Sequence, residues 1–205
     1  MITIVDYGTS NLGSMQNMLK KAGAQSRIAA SAQDLKDATK IIVPGVGSFD
    51  AGMRKLQQSG MIPVLNERAL IEKVPTLGVC LGMQLMTKSS EEGELPGLGW
   101  IDARTRRFDQ RLNPGIKVPH MGWNEVVPAK ASELIGEFPA EARFYFAHSF
   151  HVVCTSIEDI LLHASYGASS FVAAFQRGNL MGVQFHPEKS HRFGLAFLKN
   201  FVERF

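Results

Sequence analysis

Cysteine and long apolar runs are both scarce in this chain of 205 residues. Its two cysteines, Cys80 and Cys154, form no C-x-x-C pair, and no His/Cys cluster has the spacing of a zinc site. We therefore expect neither a disulfide framework nor a structural metal. No run of about 18 apolar residues occurs, so we expect no helix that crosses a membrane. These absences argue against the disulfide-rich, zinc-dependent and membrane-spanning classes of protein.

An excess of charge is lacking as well. The net charge is +3, and the charged share of 20% and the apolar share of 45% are those of an ordinary globular protein. The densest basic group, at residues 104–107, would be divided between the two faces of a strand. Because no basic stripe carries interleaved aromatic residues, binding to nucleic acid is not expected.

The N-terminal stretch has no basic segment of the kind that begins a signal peptide, and it reaches an acid at Asp6. Together with the sparse cysteines, this predicts a cytoplasmic protein. The chain is long enough for one domain with a sizeable core. It contains neither internal repeats nor low-complexity linkers, so we predict a single domain over residues 1–205.

The first half of the chain alternates two kinds of pattern. Apolar, β-branched runs that are typical of buried strands occur at residues 2–6, 40–43 and 75–79. Helical spacing of apolar residues follows Asn11 and ends near Gly23, and further helices are predicted at 49–59, 63–72 and 81–87. This alternation is typical of an α/β fold with an open, mostly parallel central sheet flanked by helices.

After about residue 95 the pattern changes to strands. Segments rich in Val, Ile, Phe and Tyr lie at 100–108, 117–127, 143–153, 159–166, 171–177 and 180–185. Gly178 and Asn179 separate the last two and predict a hairpin turn. We therefore expect additional antiparallel strands in the C-terminal half, closed by a helix at about 191–204.

The stretch GVCLGMQ at residues 78–84 places Cys80 between a predicted strand and a predicted helix. Small residues two positions before and after a nucleophile let the chain turn sharply, as in a nucleophile elbow. The start of the helix favours an anionic sulfur, and the Leu81 N–H can point at an oxyanion. A free cysteine is also often a small core residue, and the turn alone leaves these two interpretations open. Cys154, inside an apolar strand, is predicted to be a core residue.

A cysteine nucleophile needs a base, and the base needs a group that orients it. Of the six histidines, His186 ends an apolar strand and precedes Pro187. Proline biases the residue before it to an extended backbone, which would place the side chain of Glu188 on the same side as the imidazole. A solvated strand end remains the alternative for a lone His-x-Glu.

Together these motifs resemble the class I glutamine amidotransferases, whose fold is flavodoxin-like. The resemblance includes GVCLGMQ at 78–84, QFHPE at 184–188, DYG at 6–8, PGVGSF at 44–49, KVPHMGWN at 117–124 and YFAHSF at 145–150. Within that family the combination, which covers the whole chain, is most similar to the glutaminase subunits of imidazole glycerol phosphate synthase.

The resemblance implies a catalytic triad of Cys80, His186 and Glu188. Cys80 would attack the side-chain amide of glutamine, and His186 would protonate the departing ammonia and then activate water. Gly45 to Gly47 would supply or gate a second oxyanion donor beside the Leu81 N–H. The substrate-side positions implied by the resemblance are Gln84, Glu92, His148, Ser149 and Phe150. Neither a metal nor a cofactor is implied.

The resemblance also implies a heterodimer with a (β/α)₈-barrel synthase subunit that receives the ammonia through a channel. The products would be imidazole glycerol phosphate and AICAR, in histidine biosynthesis. The positions implied for the interface are Asn11, Pro119, Met121, Trp123 and Lys189.

Two alternatives stay open. A paralogous glutaminase subunit would supply ammonia to a barrel partner that aminates a sugar of a surface polysaccharide. Thr9 and Ser10 depart from the Met-Gly that is usual in this family, which favours considering that alternative. A non-catalytic interaction subunit is disfavoured by the intact Cys80, His186 and Glu188.

Overall fold

The computed structural model describes residues 1–111, 114–136, 138 and 141–205. Strands and helices alternate in its first half. The strands are β1 (Ile2–Val5), β2 (Ser26–Ala29), β3 (Ile41–Gly45), β4 (Thr76–Cys80) and the short β5 (Ser89–Ser90). The helices are α1 (Leu12–Lys21), α2 (Phe49–Gln58), α3 (Ile62–Asn66) and α4 (Leu81–Leu85).

The second half consists mainly of strands. These are β6 (Ala103–Arg107), β7 (His120–Glu125), β8 (Val127–Pro128), β9 (Arg143–His148), β10 (Phe150–Cys154), β11 (Ile160–Tyr166), β12 (Ser169–Arg177) and β13 (Leu180–Val183). The chain then forms a 3₁₀ turn at Pro187–Lys189 and the helix α5 (His191–Arg204).

Helix α1 shows how local sequence sets the boundaries of an element. The side chain of Asn11 accepts a hydrogen bond from the Ser14 N–H and caps the start of the helix. Met15 and Leu19, one turn apart, are the buried residues of its inner face. Gly23 adopts a positive φ of 84° just beyond the end, a conformation that costs glycine little.

In the described part of the chain, eleven strands form one sheet, and β7 and β9 form a separate antiparallel pair. The order across the large sheet is β2-β1-β3-β4-β13-β12-β10-β6-β5, with β11 and β8 attached beside β12. Neighbours from β2 to β13 run parallel, whereas each neighbouring pair from β13 through β12 and β10 to β6 is antiparallel. The predicted fold class is therefore confirmed, including the antiparallel C-terminal half.

Several predicted boundaries were wrong. Strand β2 was missed because it is only four residues long and only Ala29 in it is buried, so it carries no strong apolar pattern. The segment predicted as one strand at 143–153 breaks at Ser149 into β9 and β10, which belong to different sheets. The helix predicted at 63–72 is α-helical only to Asn66 and continues as a wider π-helical turn. The hairpin predicted at Gly178–Asn179 is confirmed, since Arg177 pairs with Leu180.

The order of the strands determines where chemistry can occur. Strands β3, β4 and β13 are parallel neighbours, so their carboxyl ends meet at one edge of the sheet. Gly45 pairs with Cys80 at that edge, and the segment after β13 leads from the same edge into His186. In α/β sheets this edge is where ligands usually bind. No helix among the described residues is long and apolar enough to cross a membrane.

Candidate active site

Cys80 occupies a sharp turn between β4 and α4. Its backbone has φ 53° and ψ −109°, a region that residues with side chains rarely adopt. A Cβ on Gly78 would lie 2.6 Å from the Met86 sulfur, and a Cβ on Gly82 would overlap the carbonyl oxygen of Val43. Glycine at both positions is thus required by close packing, and the local structure is the nucleophile elbow that the motif predicts.

His186 and Glu188 lie together after β13. Nδ1 of His186 is 2.8 Å from a carboxylate oxygen of Glu188, and both side chains are largely buried. Because the carboxylate only accepts hydrogen bonds, Nδ1 is the donor. The prediction that Glu188 reaches the ring from an extended strand was wrong in detail, because Pro187–Lys189 form a 3₁₀ turn that brings the carboxylate to the imidazole.

The charge state of His186 follows from its neighbours. Burial by itself lowers the pKa of His186, since it penalises the charged ring. Hydrogen bonding and charge interactions with Cys80 and Glu188 outweigh burial and raise the pKa to about 10. At neutral pH the ring is therefore protonated, and it can pair with an anionic sulfur and donate a proton.

A buried serine holds the turn that carries His186. The Ser190 hydroxyl donates to the carbonyl oxygen of His186 at 2.6 Å and accepts from the N–H of Tyr145 at 3.0 Å. The His186 N–H in turn donates to the carbonyl of Tyr145. The first bond closes the turn and the other two attach it to β9, so the position of His186 depends on the two-stranded sheet.

A cavity of about 300 Å³ lies over the elbow. Its lining residues are Val46, Gly47, Cys80, Leu81, Gln84, Glu92, Pro119, Ala147, His148, Ser149, Phe150, His186 and Lys189. It therefore brings Cys80 and His186 together with all the predicted substrate-side residues except Gly45, which lies beside Cys80 in β3. Cys80 is 7% exposed and His186 3% exposed, so only a small part of each residue faces the cavity.

The PGVG segment and Glu92 flank this cavity. The N–H of Val46 donates to the carbonyl of Thr9 at 2.8 Å, so in this structure it is not directed at the cavity. A Cβ on Gly45 would collide with the Tyr7 hydroxyl, which explains glycine at that position. Glu92 accepts a hydrogen bond from the Phe49 N–H at 2.8 Å, at the start of α2.

His148 forms a buried pair with His120 across the two-stranded sheet. Nε2 of His148 is 3.1 Å from Nδ1 of His120, and Nδ1 of His148 is 2.7 Å from the carbonyl oxygen of Phe150. Burial lowers the pKa of His148 to about 3 and that of His120 to about 4. Both rings are therefore neutral at pH 7.

The predicted interface residues divide into two groups. Pro119 and Lys189 line the cavity, whereas Met121 and Trp123 lie outside it on β7 with 64% and 44% of their surface exposed. The Trp123 ring stacks on His191 at 5.4 Å. Asn11 is exposed and caps α1. Exposed Met and Trp side chains on neighbouring positions are typical of a docking surface.

A larger cavity of about 600 Å³ lies elsewhere, lined by residues such as Arg106, Arg107 and His151. It contains neither Cys80 nor His186, so we place the candidate site in the smaller cavity. Within the residues that the structure describes, no group of three or more His, Cys, Asp or Glu side chains is placed to hold a metal ion.

The interpretation of the sequence missed two polar side chains beside the nucleophile. Gln184 stands in the QFHPE motif, and its amide contacts Cys80, but no role was assigned to it. His120 stands in the KVPHMGWN motif and pairs with His148. The sequence signal that could have identified Gln184 was its position two residues before His186 on a buried segment. The contacts themselves depend on chain segments far apart in sequence.

Comparisons with known proteins agree with this geometry. The family described as glutamine amidotransferase class-I matches residues 3–205. The chain is 49% identical over 203 residues to imidazole glycerol phosphate synthase subunit HisH 2 of Pseudomonas aeruginosa, covering 99% of each chain. It is 46% identical over 204 residues to the protein of the same name from Methanococcus maripaludis, covering 100% of each.

Among solved structures, PurLQS from Thermotoga maritima aligns with a TM-score of 0.74 at 17% identity. The alignment covers 98% of this chain and 95% of that one. At this level of identity the likeness concerns the fold alone.

Proposed function

Because the chain belongs to the class I glutamine amidotransferase family, we propose that it hydrolyses glutamine to glutamate and ammonia as the glutaminase subunit of imidazole glycerol phosphate synthase. The observation that carries the chemistry is the placement of Cys80 at an elbow in the same cavity as the His186–Glu188 pair. Nucleophile, acid–base and orienting group are thus available within one site.

The first half of the reaction forms a thioester. The sulfur of Cys80 attacks the carboxamide carbon of glutamine, and the carbonyl oxygen becomes an oxyanion. His186, protonated at neutral pH because its pKa is about 10, gives its proton to the departing nitrogen as the C–N bond breaks. Ammonia leaves, and the glutamyl group remains on Cys80.

The second half releases glutamate. His186, now neutral, accepts a proton from water while the water oxygen attacks the thioester carbon. The C–S bond breaks, and the sulfur returns as the thiolate beside the protonated ring. Glu188 keeps the imidazole oriented through its bond to Nδ1 in both halves.

The oxyanion needs hydrogen-bond donors close to Cys80. The N–H of Leu81 is one, because it follows the nucleophile at the start of α4. We assign the second to the segment Gly45–Gly47, which borders the cavity. Since the Val46 N–H is engaged by Thr9, that segment would have to rotate before Val46 could contribute.

Glutamine would occupy the cavity of about 300 Å³, a volume at the lower end for small-molecule sites. We assign its amino group to Gln84 and Glu92, whose oxygens accept hydrogen bonds. His148, Ser149 and Phe150 form another part of the cavity wall. Phenylalanine at 150 has no hydroxyl, so it contributes its ring and its backbone.

The relatives' name implies a partner subunit, and we propose that the partner is a (β/α)₈ barrel that receives the ammonia. Free ammonia is protonated in neutral water, so a docked partner must cover the cavity. The exposed side chains Met121 and Trp123, with Asn11, Pro119 and Lys189, form the docking surface of this proposal. Ammonia would then enter the synthesis of imidazole glycerol phosphate and AICAR, in the cytoplasm, as part of histidine biosynthesis.

The names of these two relatives favour this pathway over the amination of a polysaccharide sugar. Measuring which acceptor gains nitrogen from glutamine in the reconstituted complex distinguishes the two pathways. Loss of growth without histidine after deletion of the gene would agree with the first, and normal growth would contradict it. We also propose that residues 1–205 form one domain, which the sheet running through both halves supports.

Replacement of Cys80 by alanine tests the proposed chemistry. Cys80→Ala should reduce glutamine hydrolysis by the complex at least about 10⁴-fold, because the thioester cannot form. Synthesis with ammonium salts in place of glutamine should be unchanged, since the partner uses ammonia directly. Cys154→Ala is the matched control and should keep full activity. Glutamine hydrolysis by Cys80→Ala at the wild-type rate would show that the nucleophile lies elsewhere.

Replacement of Trp123 by alanine tests the docking surface. An exposed tryptophan is a common anchor of protein interfaces, so Trp123→Ala should weaken binding to the barrel subunit at least about tenfold by titration calorimetry. Ile157→Ala is the control, because Ile157 is an apolar side chain that is 82% exposed in the 3₁₀ turn Ile157–Asp159, away from β7. Equal affinity of the two variants would contradict the proposed surface.

A further inference from the structure

Two buried carboxamides connect the nucleophile to the wall of the cavity. Nε2 of Gln184 donates to the sulfur of Cys80 at 3.7 Å. Oε1 of Gln184 accepts from Nε2 of Gln84 at 3.0 Å. Gln184 is fully buried, and Gln84 borders the cavity. The Gln184 amide therefore links the sulfur to Gln84, which lines the proposed substrate site.

The orientation of both amides follows from the backbone of Phe150. Its carbonyl oxygen can only accept, and it receives bonds from Nδ1 of His148 at 2.7 Å and from Nε2 of Gln84 at 3.1 Å. The second amide hydrogen of Gln84 then points to Gln184 and requires an oxygen there. The NH₂ group of Gln184 must therefore face Cys80, because a flipped amide would oppose two donors and direct an oxygen at the sulfur.

We propose that Gln184 is a positioning residue for the nucleophile: its N–H group holds the sulfur of Cys80 and favours its anionic form, in an orientation set by Gln84. This inference rests on the proposed glutaminase function. An N–H donor binds an anionic acceptor about twice as strongly as a neutral one, so the bond stabilises the thiolate over the thiol. Both bonds are buried, where competing water is excluded.

The same chain connects substrate binding with the nucleophile. Both amide hydrogens of Gln84 are used by Phe150 and Gln184, so its Oε1 is the atom left for the amino group of glutamine. A bound substrate would thereby hold Gln84 in the orientation that directs the NH₂ of Gln184 at the sulfur. Other ionisable groups also face Cys80 or its cavity: Tyr7 after β1, Glu92 after β5, His148 in β9, and His186, Glu188 and Lys189 after β13.

The experiment compares two replacements of Gln184 in the full chain. Gln184→Met keeps the length of the side chain but removes both polar atoms, and Gln184→Glu keeps the acceptor for Gln84 but removes the donor to sulfur. The first measurement is the rate at which iodoacetamide alkylates Cys80 as a function of pH. The second is kcat and KM for glutamine in the complex with the partner subunit.

For Gln184→Met we expect the midpoint of the alkylation profile to rise by about one pH unit, with alkylation about tenfold slower at pH 7. For Gln184→Glu we expect a rise at least as large, because its carboxylate also repels the anionic sulfur. We expect kcat to fall about tenfold or more, while KM changes less than threefold. Gln176→Met, in β12 and away from the cavity, is the matched control and should leave both measurements unchanged. A role in packing alone would lower stability without moving the midpoint.

An unchanged midpoint in folded variants would overturn the inference. If neither variant folds, NMR of the Gln184 side-chain NH₂ group in the wild type and in Cys80→Ala provides the test. A changed proton chemical shift supports the contact, and identical shifts contradict it. Failure of the proposed function would look different. In that case Cys80→Ala would still hydrolyse glutamine, whatever the behaviour of Gln184.

Discussion

Cys80 adopts a backbone conformation that leucine, valine or alanine would rarely occupy, with φ at 53°. Such strain persists only where the surroundings impose it, and here the surroundings are backbone atoms. Gly82 lies directly against the carbonyl of Val43 in the neighbouring strand, and Gly78 lies against Gly82 itself. The elbow is held by close contact between β3, β4 and α4, which raises the sulfur above the sheet.

Gly82→Ala should therefore be strongly destabilising. The added Cβ would overlap the Val43 carbonyl, which is backbone and cannot move aside, so we expect a loss of about 2–4 kcal/mol in the free energy of unfolding. Urea-induced unfolding of the purified subunit measures this loss. Gly136→Ala is the control, since Gly136 has an ordinary φ of −59° and its Cβ would meet nothing closer than 3.6 Å. Equal stability of the two variants would contradict the close packing described for the elbow.

At the scale of elements, the candidate site is assembled from two sheets. The large sheet carries Cys80 at the end of β4, and the two-stranded sheet carries His148 at the end of β9. The 3₁₀ turn with His186 follows β13 of the large sheet but is hydrogen-bonded to β9 through Ser190 and Tyr145. The distance between sulfur and imidazole thus depends on how the two sheets pack.

Ser190→Ala tests this connection. The variant leaves the partly buried N–H of Tyr145 without its acceptor, which should cost about 1 kcal/mol of stability. The turn also loses its bond to the His186 carbonyl, so we expect kcat for glutamine to fall about tenfold in the complex. Ser26→Ala, in the outer strand β2, should change stability by less than about 0.5 kcal/mol and leave kcat intact. A stable Ser190→Ala enzyme with wild-type kcat would show that the turn is positioned by other contacts.

At the scale of the whole molecule, some buried histidines are neutral and another is charged. The two kinds make stability depend on pH in opposite directions. His120 and His148 are neutral in the folded state because burial lowers their pKa values to about 4 and 3. His186 is charged because its contacts with Cys80 and Glu188 outweigh burial and raise its pKa to about 10. The ordinary value for an unfolded chain is about 6.5.

We expect the stability of the subunit to be greatest near neutral pH. Below about pH 6.5 the unfolded chain binds protons that folded His120 and His148 cannot bind, so stability falls by up to about 3 kcal/mol per pH unit down to about pH 4. The contribution of His186 is complete below pH 6.5 and is lost as the pH rises towards 10.

Urea-induced unfolding between pH 5 and pH 9 checks both directions. His120→Phe should reduce the slope of the unfolding free energy against pH on the acid side by the equivalent of about one proton. The reason is that it removes one of the two neutral histidines. A flat profile between pH 5 and pH 6.5 in the wild type would contradict the description of these rings as neutral and buried.

Much of the fold could be read from local patterns. The apolar runs that became β1, β3 and β4 and the helical spacing of α1, α2 and α5 are strong signals, because each segment is buried in a regular way. Strand β2 and the break at Ser149 were missed, since a short strand and a change of sheet leave little trace in composition. The π-helical end of the third helix was missed for the same reason.

The motif around Cys80 and the order of Cys80, His186 and Glu188 were determined by the sequence itself, because a nucleophile elbow and an oriented imidazole need particular residues at particular spacings. Only the tertiary structure decided that the two motifs share one cavity, that Gln184 contacts the sulfur and that Val46 is bonded to Thr9. Those contacts join residues that are distant along the chain, and their geometry arises from the packing of β3, β4, β9 and β13 rather than from any local preference.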